Sequence, residues 1–145
     1  MGRDGVIDSV YDELRSILGR RVSRDPVDIG LHAVDASSYY FIPRDVADRY
    51  VLALPQDVEE VSEIVKVGYK YGVAIIPQGS STDLSMGGGG LSITAAAQIY
   101  MLEKGIILHT GRMDKVEEIS EADRIAVVEP GLRIDALNEK LLETD

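Results

Sequence analysis

The sequence predicts an α+β fold in which a small parallel βαβ layer with helices is followed by an antiparallel sheet. Three observations carry this expectation. Two short apolar runs, Val51-Leu52-Ala53-Leu54 and Val73-Ala74-Ile75-Ile76-Pro77, flank a segment of helical period. Three further strand-like runs follow one another, the last two separated only by turn residues. The chain has 145 residues, of which 45% are apolar, the size and composition of one domain with a core of its own.

Taken in order, Val6, Ile7, Val10, Leu14, Ile17 and Leu18 recur at three- and four-residue spacing and Gly19 follows them, which predicts an amphipathic first helix. Residues 20 to 50 mix Arg, Asp, Pro26, Gly30 and Pro43 without a sustained period and read as an irregular connection. This divides the chain into residues 1–50, a helix plus connection, and residues 51–145, the body of the domain.

Val51 to Leu54 is a buried strand closed by Pro55. Asp57 then stands as a helix cap with Glu60 three residues on, ahead of Val58, Val61, Ile64 and Val65. That helix should stop at Tyr71-Gly72, and the second strand, Val73 to Pro77, then lies parallel to the first through a βαβ crossover. Gly105 to His109, Lys115 to Ile119 and Arg124 to Glu129 read as an antiparallel set. Pro130-Gly131 ends the last of these, and Ile134, Leu137, Leu141 and Leu142 open a helix that no Gly, Asn or Pro stops before Asp145. The architecture is expected to be incomplete at that point.

Composition excludes several functions. With 15 basic and 25 acidic residues the net charge is −10, which repels a phosphate backbone, so nucleic acid is not an expected partner. There is no cysteine, which removes disulfides, thiolate catalysis, zinc fingers and iron–sulfur clusters. The charged start with Arg3, Asp4 and Asp8 is no secretory signal, and a cytoplasmic location is expected. Leu84 to Leu102 carry no charge, but eight of these nineteen residues are Gly, Ser, Thr or Gln, so they read as a packed loop and not a membrane span. His32 and His109 are the only imidazoles, far apart in the chain and without a ligand-spaced partner. They point to no metal site and read as core or surface histidines.

The segment with the most chemical content is the turn after the second strand, Gln78-Gly79-Ser80-Ser81-Thr82-Asp83-Leu84-Ser85. At the carboxyl end of a parallel strand, a run of small residues can aim backbone N–H groups and hydroxyls at an anion. The same composition also suits an ordinary surface loop. Neither a P-loop nor a G-x-G-x-x-G fingerprint is present.

The order of these pieces resembles a known family. Asp35-Ala36-Ser37 with Pro43, Leu54-Pro55-Gln56-Asp57-Val58-Glu59-Glu60-Val61, Gly79 to Ser85, Gly105-Ile106-Ile107-Leu108 with Arg112-Met113, and Val128-Glu129-Pro130-Gly131 together resemble the FAD-binding domain of the vanillyl-alcohol oxidase/p-cresol methylhydroxylase family. Within it, the likeness is to the glycolate oxidase D-subunit and D-lactate dehydrogenase branch. It runs from about Val34 to Leu142 and covers roughly the first third of such an enzyme.

The resemblance implies an incomplete p-cresol methylhydroxylase-type domain with FAD as cofactor. Gln78, Gly79, Ser80, Ser81, Thr82, Leu84 and Ser85 would wrap its pyrophosphate. It also implies FAD-dependent oxidation of a 2-hydroxy acid in a complete enzyme, with catalytic residues supplied outside this chain, so the isolated chain is expected to be inactive. Gln78 stands where the family usually has Arg, and Ser81, Asp83 and Met86 stand where glycine is frequent. Two rival readings remain at this point: a complementing subunit that self-associates or needs a partner polypeptide, and a phosphate-ligand module unrelated to flavin.

Overall fold

A computed structural model of the chain describes residues 5–33, 46–80 and 104–143. Helix α1 (Gly5–Leu18) runs into a single 3-10 turn and a short strand β1 (Val22–Ser23). Helices α2 (Pro26–Ala33) and α3 (Val46–Arg49) lead to β2 (Tyr50–Ala53), followed by α4 (Val58–Tyr71) and β3 (Ala74–Gln78). Next come β4 (Gly105–His109), β5 (Val116–Ser120), β6 (Ile125–Val128) and a last helix, α5 (Ile134–Leu142).

Among the described residues, β1, β2, β4 and β3 form one sheet in that order. Strand β4 pairs parallel with β2 on one side and with β3 on the other, and β1 runs antiparallel along β2. The βαβ crossover is therefore present, but its two strands are separated by one strand's width. This corrects the expectation for Gly105–His109, which belongs to the centre of the parallel layer and not to the antiparallel set. The physical reason is its burial on both faces: Gly105 to Leu108 are all buried, the mark of an interior parallel strand. The antiparallel set is the β5–β6 hairpin, with a bulge between Val116 and Glu118.

Side-chain alternation along the central strands builds two cores. Val51, Ala53, Ile106 and Leu108 face α1 and α4, where they meet Ile7, Val10, Leu14, Leu18, Ile64 and Val67. Tyr50, Leu52 and Ile107 point to the opposite face and bury Ile29 of α2. Gly68 lets α4 approach the sheet closely, since a Cβ there would lie 2.6 Å from Cδ1 of Ile75.

The termini of α4 follow their sequence signals. The carboxylate of Asp57 accepts from the amide of Glu60 at 2.8 Å, and Gly72 closes the helix in the left-handed region at φ 64°. Residues 22–33 differ from expectation, forming a strand and a helix in place of an irregular connection. Their signal was Asp25-Pro26: Oδ1 of Asp25 accepts from the amide of Val27 at 2.8 Å, and Pro26 occupies the first helical position, where a missing N–H costs nothing.

Candidate functional site

The carboxyl ends of β3 and β4 lie side by side, with Gln78 in register with His109. The backbone amide and the hydroxyl of Thr110 both donate to the carbonyl of Gln78, at 2.8 and 3.0 Å. Gln78 is buried, and its Nε2 donates to the carbonyl of His32 at 2.6 Å. Its Oε1 is buried without a hydrogen-bond partner among the described residues. Of the expected phosphate-loop residues, Gln78, Gly79 and Ser80 are thus placed at the end of a parallel strand. Ser81, Thr82, Leu84 and Ser85 lie outside the described residues, as do the uncharged segment from Leu84 to Leu102 and the Asp35 to Pro43 segment.

The Pro130-Gly131 turn folds back onto these strand ends. The amide of Gly131 donates to the carbonyl of Met113 at 2.8 Å, and that of Met113 to the carbonyl of Thr110 at 2.8 Å. There is no room for a side chain here: a Cβ on Gly131 would lie 2.1 Å from the carbonyl oxygen of Thr110, and one on Gly79 would lie 3.2 Å from that of Pro130. Two segments more than fifty residues apart in sequence, both rich in small residues, meet with their backbones exposed to one another.

A cleft of about 530 Å³ opens beside them. Its lining includes Ser80, His109 and Gly111 together with Lys115, Arg133 and Lys140, and Asp114 is the only carboxylate in it. Lys115 Nζ lies 3.9 Å from the Glu129 carboxylate, so the lining is only modestly cationic, a balance that still suits an anionic ligand better than the chain's overall charge of −10 does. Arg133 is also paired with Asp135, which holds that carboxyl below its ordinary range. A larger cavity of about 840 Å³, between α1, β1 and α2, mixes Asp8, Asp12 and Asp28 with Arg15, Arg20 and Arg24. Arg24 pairs there with Asp8, and the cavity lies away from the ends of β3 and β4.

The structure also unites two residues that the sequence left apart. The rings of His32 and His109 stand edge to face with centroids 4.8 Å apart and an interplanar angle of 89°. His32 comes from the end of α2 and His109 from the end of β4, so only the topology brings them together, and no spacing rule could have found the pair. Burial, reinforced by the neighbouring His32, pushes the His109 imidazole below its ordinary value. Among the described residues no group of three or more His, Cys, Asp or Glu is placed to hold a metal ion.

A mostly parallel sheet that ends in small-residue turns at its carboxyl edge has the kind of crevice in which such sheets bind ligands. A family model described as "FAD binding domain" matches residues 50–144, and the chain belongs to that family. FAD is the cofactor of the fold.

A D-lactate dehydrogenase of Danio rerio, named as probable and mitochondrial, is 29% identical over 143 residues, spanning 98% of this chain and 26% of that protein. The glycolate oxidase subunit GlcD of Escherichia coli K12 is 32% identical over 89 residues, 61% of this chain and 16% of the subunit. The chain therefore spans about a quarter or less of these relatives. Among solved structures, substrate-bound p-cresol methylhydroxylase superposes with a TM-score of 0.75 at 16% identity, covering 97% of this chain and 25% of the other. Alkyldihydroxyacetonephosphate synthase gives 0.69 at 21% identity, over 94% and 25%. These likenesses establish the p-cresol methylhydroxylase-type fold that the order of motifs led us to expect.

Proposed function

We propose that this chain supplies the pyrophosphate-binding part of a flavoprotein that oxidises 2-hydroxy acids. The observation that carries the reading is the meeting of Gln78-Gly79-Ser80 with Pro130-Gly131 at the carboxyl edge of the parallel sheet, beside a cleft bearing Lys115, Arg133 and Lys140. The fit to FAD is chemical. Glycines 79, 111 and 131 let the strand ends, the His109 ring and the Pro130-Gly131 turn pack closely beside the cleft, and the cations of its lining offset the charge of a diphosphate.

Ser81, Thr82, Leu84 and Ser85 complete the proposed wrap around the phosphates. Bound FAD supplies the two-electron acceptor for substrate oxidation. This chain's residues bind and orient it: the 78–80 turn and Gly131 set the distance of approach, and Lys115 and Lys140 bring countercharge from the hairpin and from α5.

The 2-hydroxy-acid substrate class rests on the relatives named as D-lactate dehydrogenase and glycolate oxidase subunit. The expected cytoplasmic location belongs to the same proposal. Titration of FAD into the chain, followed by calorimetry and by quenching of flavin fluorescence, tests the binding. Saturable one-to-one binding that Gly79→Val weakens at least tenfold supports it, and an absence of binding by the folded chain refutes it.

A second reading, that the chain works with a partner polypeptide or self-associates, is favoured by the exposed apolar residues of the hairpin and last helix. Ile125, Ile134 and Leu142 are 57%, 70% and 75% exposed. A sedimentation series to high micromolar concentration, read with an apolar-surface dye, separates the cases: a monomer that binds no dye sinks this second reading.

A further inference from the structure

We infer that His109 is a positioning residue of the cofactor cleft: as a neutral imidazole packed on the His32 ring, it holds the Gly111 amide, and its protonation releases the turn on which Gly131 is seated. The inference rests on the FAD reading for its functional consequence, and on geometry alone for the device itself.

The geometry is a short chain of contacts. The amide of Gly111 donates to Nδ1 of His109 at 3.2 Å, so that nitrogen acts as an acceptor and carries no proton. The ring lies so close over Gly111 that a Cβ there would be 2.3 Å from Cε1 and 2.9 Å from Nδ1 of His109. Gly111 in turn backs Gly131, whose Cβ would lie 2.9 Å from the Gly111 Cα. His109 therefore touches the cleft and also sets the path of the backbone that lines it.

On its other side the ring meets His32, whose own Nδ1 donates to the carbonyl of Asp28 at 2.8 Å, fixing that ring's orientation. The His32 carbonyl is held by Gln78, so the pair is locked to the end of β3 as well.

Protonation of His109 puts a second N–H against that of Gly111. The bond becomes a clash of two donors, and a charge enters a half-buried ring stack. The surrounding groups do not cancel this effect. Of the described charged residues, Asp114, Lys115, Arg133 and Lys140 line the cleft that His109 faces. The carboxylate of Asp28 in α2 is engaged by the Ser23 hydroxyl. His32 opposes a second positive charge beside it, and burial acts in the same direction. These two are the only imidazoles of the chain.

The test has two arms. In the ligand-free chain, nuclear magnetic resonance follows the His109 ring and the Gly111 amide from pH 8 to pH 5. The expected result is that Gly111 loses exchange protection with the same midpoint as His109 titrates, below the ordinary histidine range. In His32→Phe, which keeps the ring contact without its charge, that midpoint rises.

In the second arm FAD affinity is measured at pH 8 and pH 5.5. The native chain should bind a few-fold more weakly at pH 5.5, with the loss growing as more of the His109 ring is protonated. His109→Asn, whose Oδ1 can accept from the amide two residues on and does not titrate, should show no loss of affinity between pH 8 and pH 5.5, whatever its affinity at pH 8. His109→Phe, which packs but accepts nothing, should bind weakly at both.

Tighter FAD binding in acid would make the imidazolium a countercharge and overturn the inference. So would an unchanged acid loss in His109→Asn, or Gly111 protection that ignores the titration of His109. If the native chain binds no FAD at any pH, the flavin reading fails, while the coupling between Gly111 and His109 still decides the positioning role.

Discussion

Gln78 donates from its side-chain Nε2 to the main-chain carbonyl of His32 across 2.6 Å, tying the last residue of β3 to the end of α2. The bond is partly buried and joins a strand to a helix outside the sheet, so it fixes how α2 lies over the carboxyl edge of the parallel strands.

Replacing that brace is the first test. Gln78→Leu fills the volume and removes the unpaired Oε1, but leaves the partly buried His32 carbonyl without its partner, and should destabilise the fold by about 1 kcal/mol. Urea denaturation of the native and variant chains measures it. A loss below about 0.3 kcal/mol would show that the contact carries no weight.

Gly131→Ala should cost at least as much by a different route. Its Cβ would sit 2.1 Å from the Thr110 carbonyl oxygen, against backbone that cannot swing aside. Overpacking of this kind costs about 1–3 kcal/mol. FAD affinity should fall together with stability, because the same turn seats the cleft. Thermal melts and flavin titration of the one variant check both.

Arg21 and Glu60 form a two-pronged ion pair that joins the 3-10 turn after α1 to the first turn of α4, and Arg21 also donates to the Leu54 carbonyl. The Arg21 guanidinium holds the Glu60 carboxyl below its usual 4.5. A depressed carboxylate stabilises the fold above its unfolded value and loses that contribution as pH falls through the folded one. Arg21→Met should therefore cost about 1–2 kcal/mol at pH 7 and progressively less below about pH 4.5. Denaturation at pH 7 and pH 3.5 measures the difference; an equal loss at both would place the effect in packing and not in charge.

Ile106 and Ile107 face opposite sides of β4, one into each core. Ile106→Ala and Ile107→Ala should each cost about 2–5 kcal/mol, because β4 is central and has no free face onto which the cavity can collapse. An edge position gives the contrast. Val127 on β6 is 43% exposed, and Val127→Ala should cost under about 1 kcal/mol.

The sequence by itself determined the local elements whose signals are short-range. The 3.6-residue spacing of Ile7, Val10, Leu14 and Leu18 specified α1, and Asp57 and Gly72 bounded α4. Proline and glycine at 130 and 131 ended the hairpin. The order of these motifs was enough to indicate the FAD-binding fold and to place Gln78, Gly79 and Ser80 at a strand end.

Only the tertiary structure decided what depends on non-local pairing. An apolar run such as Gly105 to Leu108 satisfies either a parallel or an antiparallel neighbour, and its place between β2 and β3 is set by burial on both faces. Nor does any local rule bring the ends of α2 and β4 together. His32 and His109 became a pair because the helix packs Ile29 across the sheet face formed by Tyr50, Leu52 and Ile107, carrying its last turn to the edge where β4 ends.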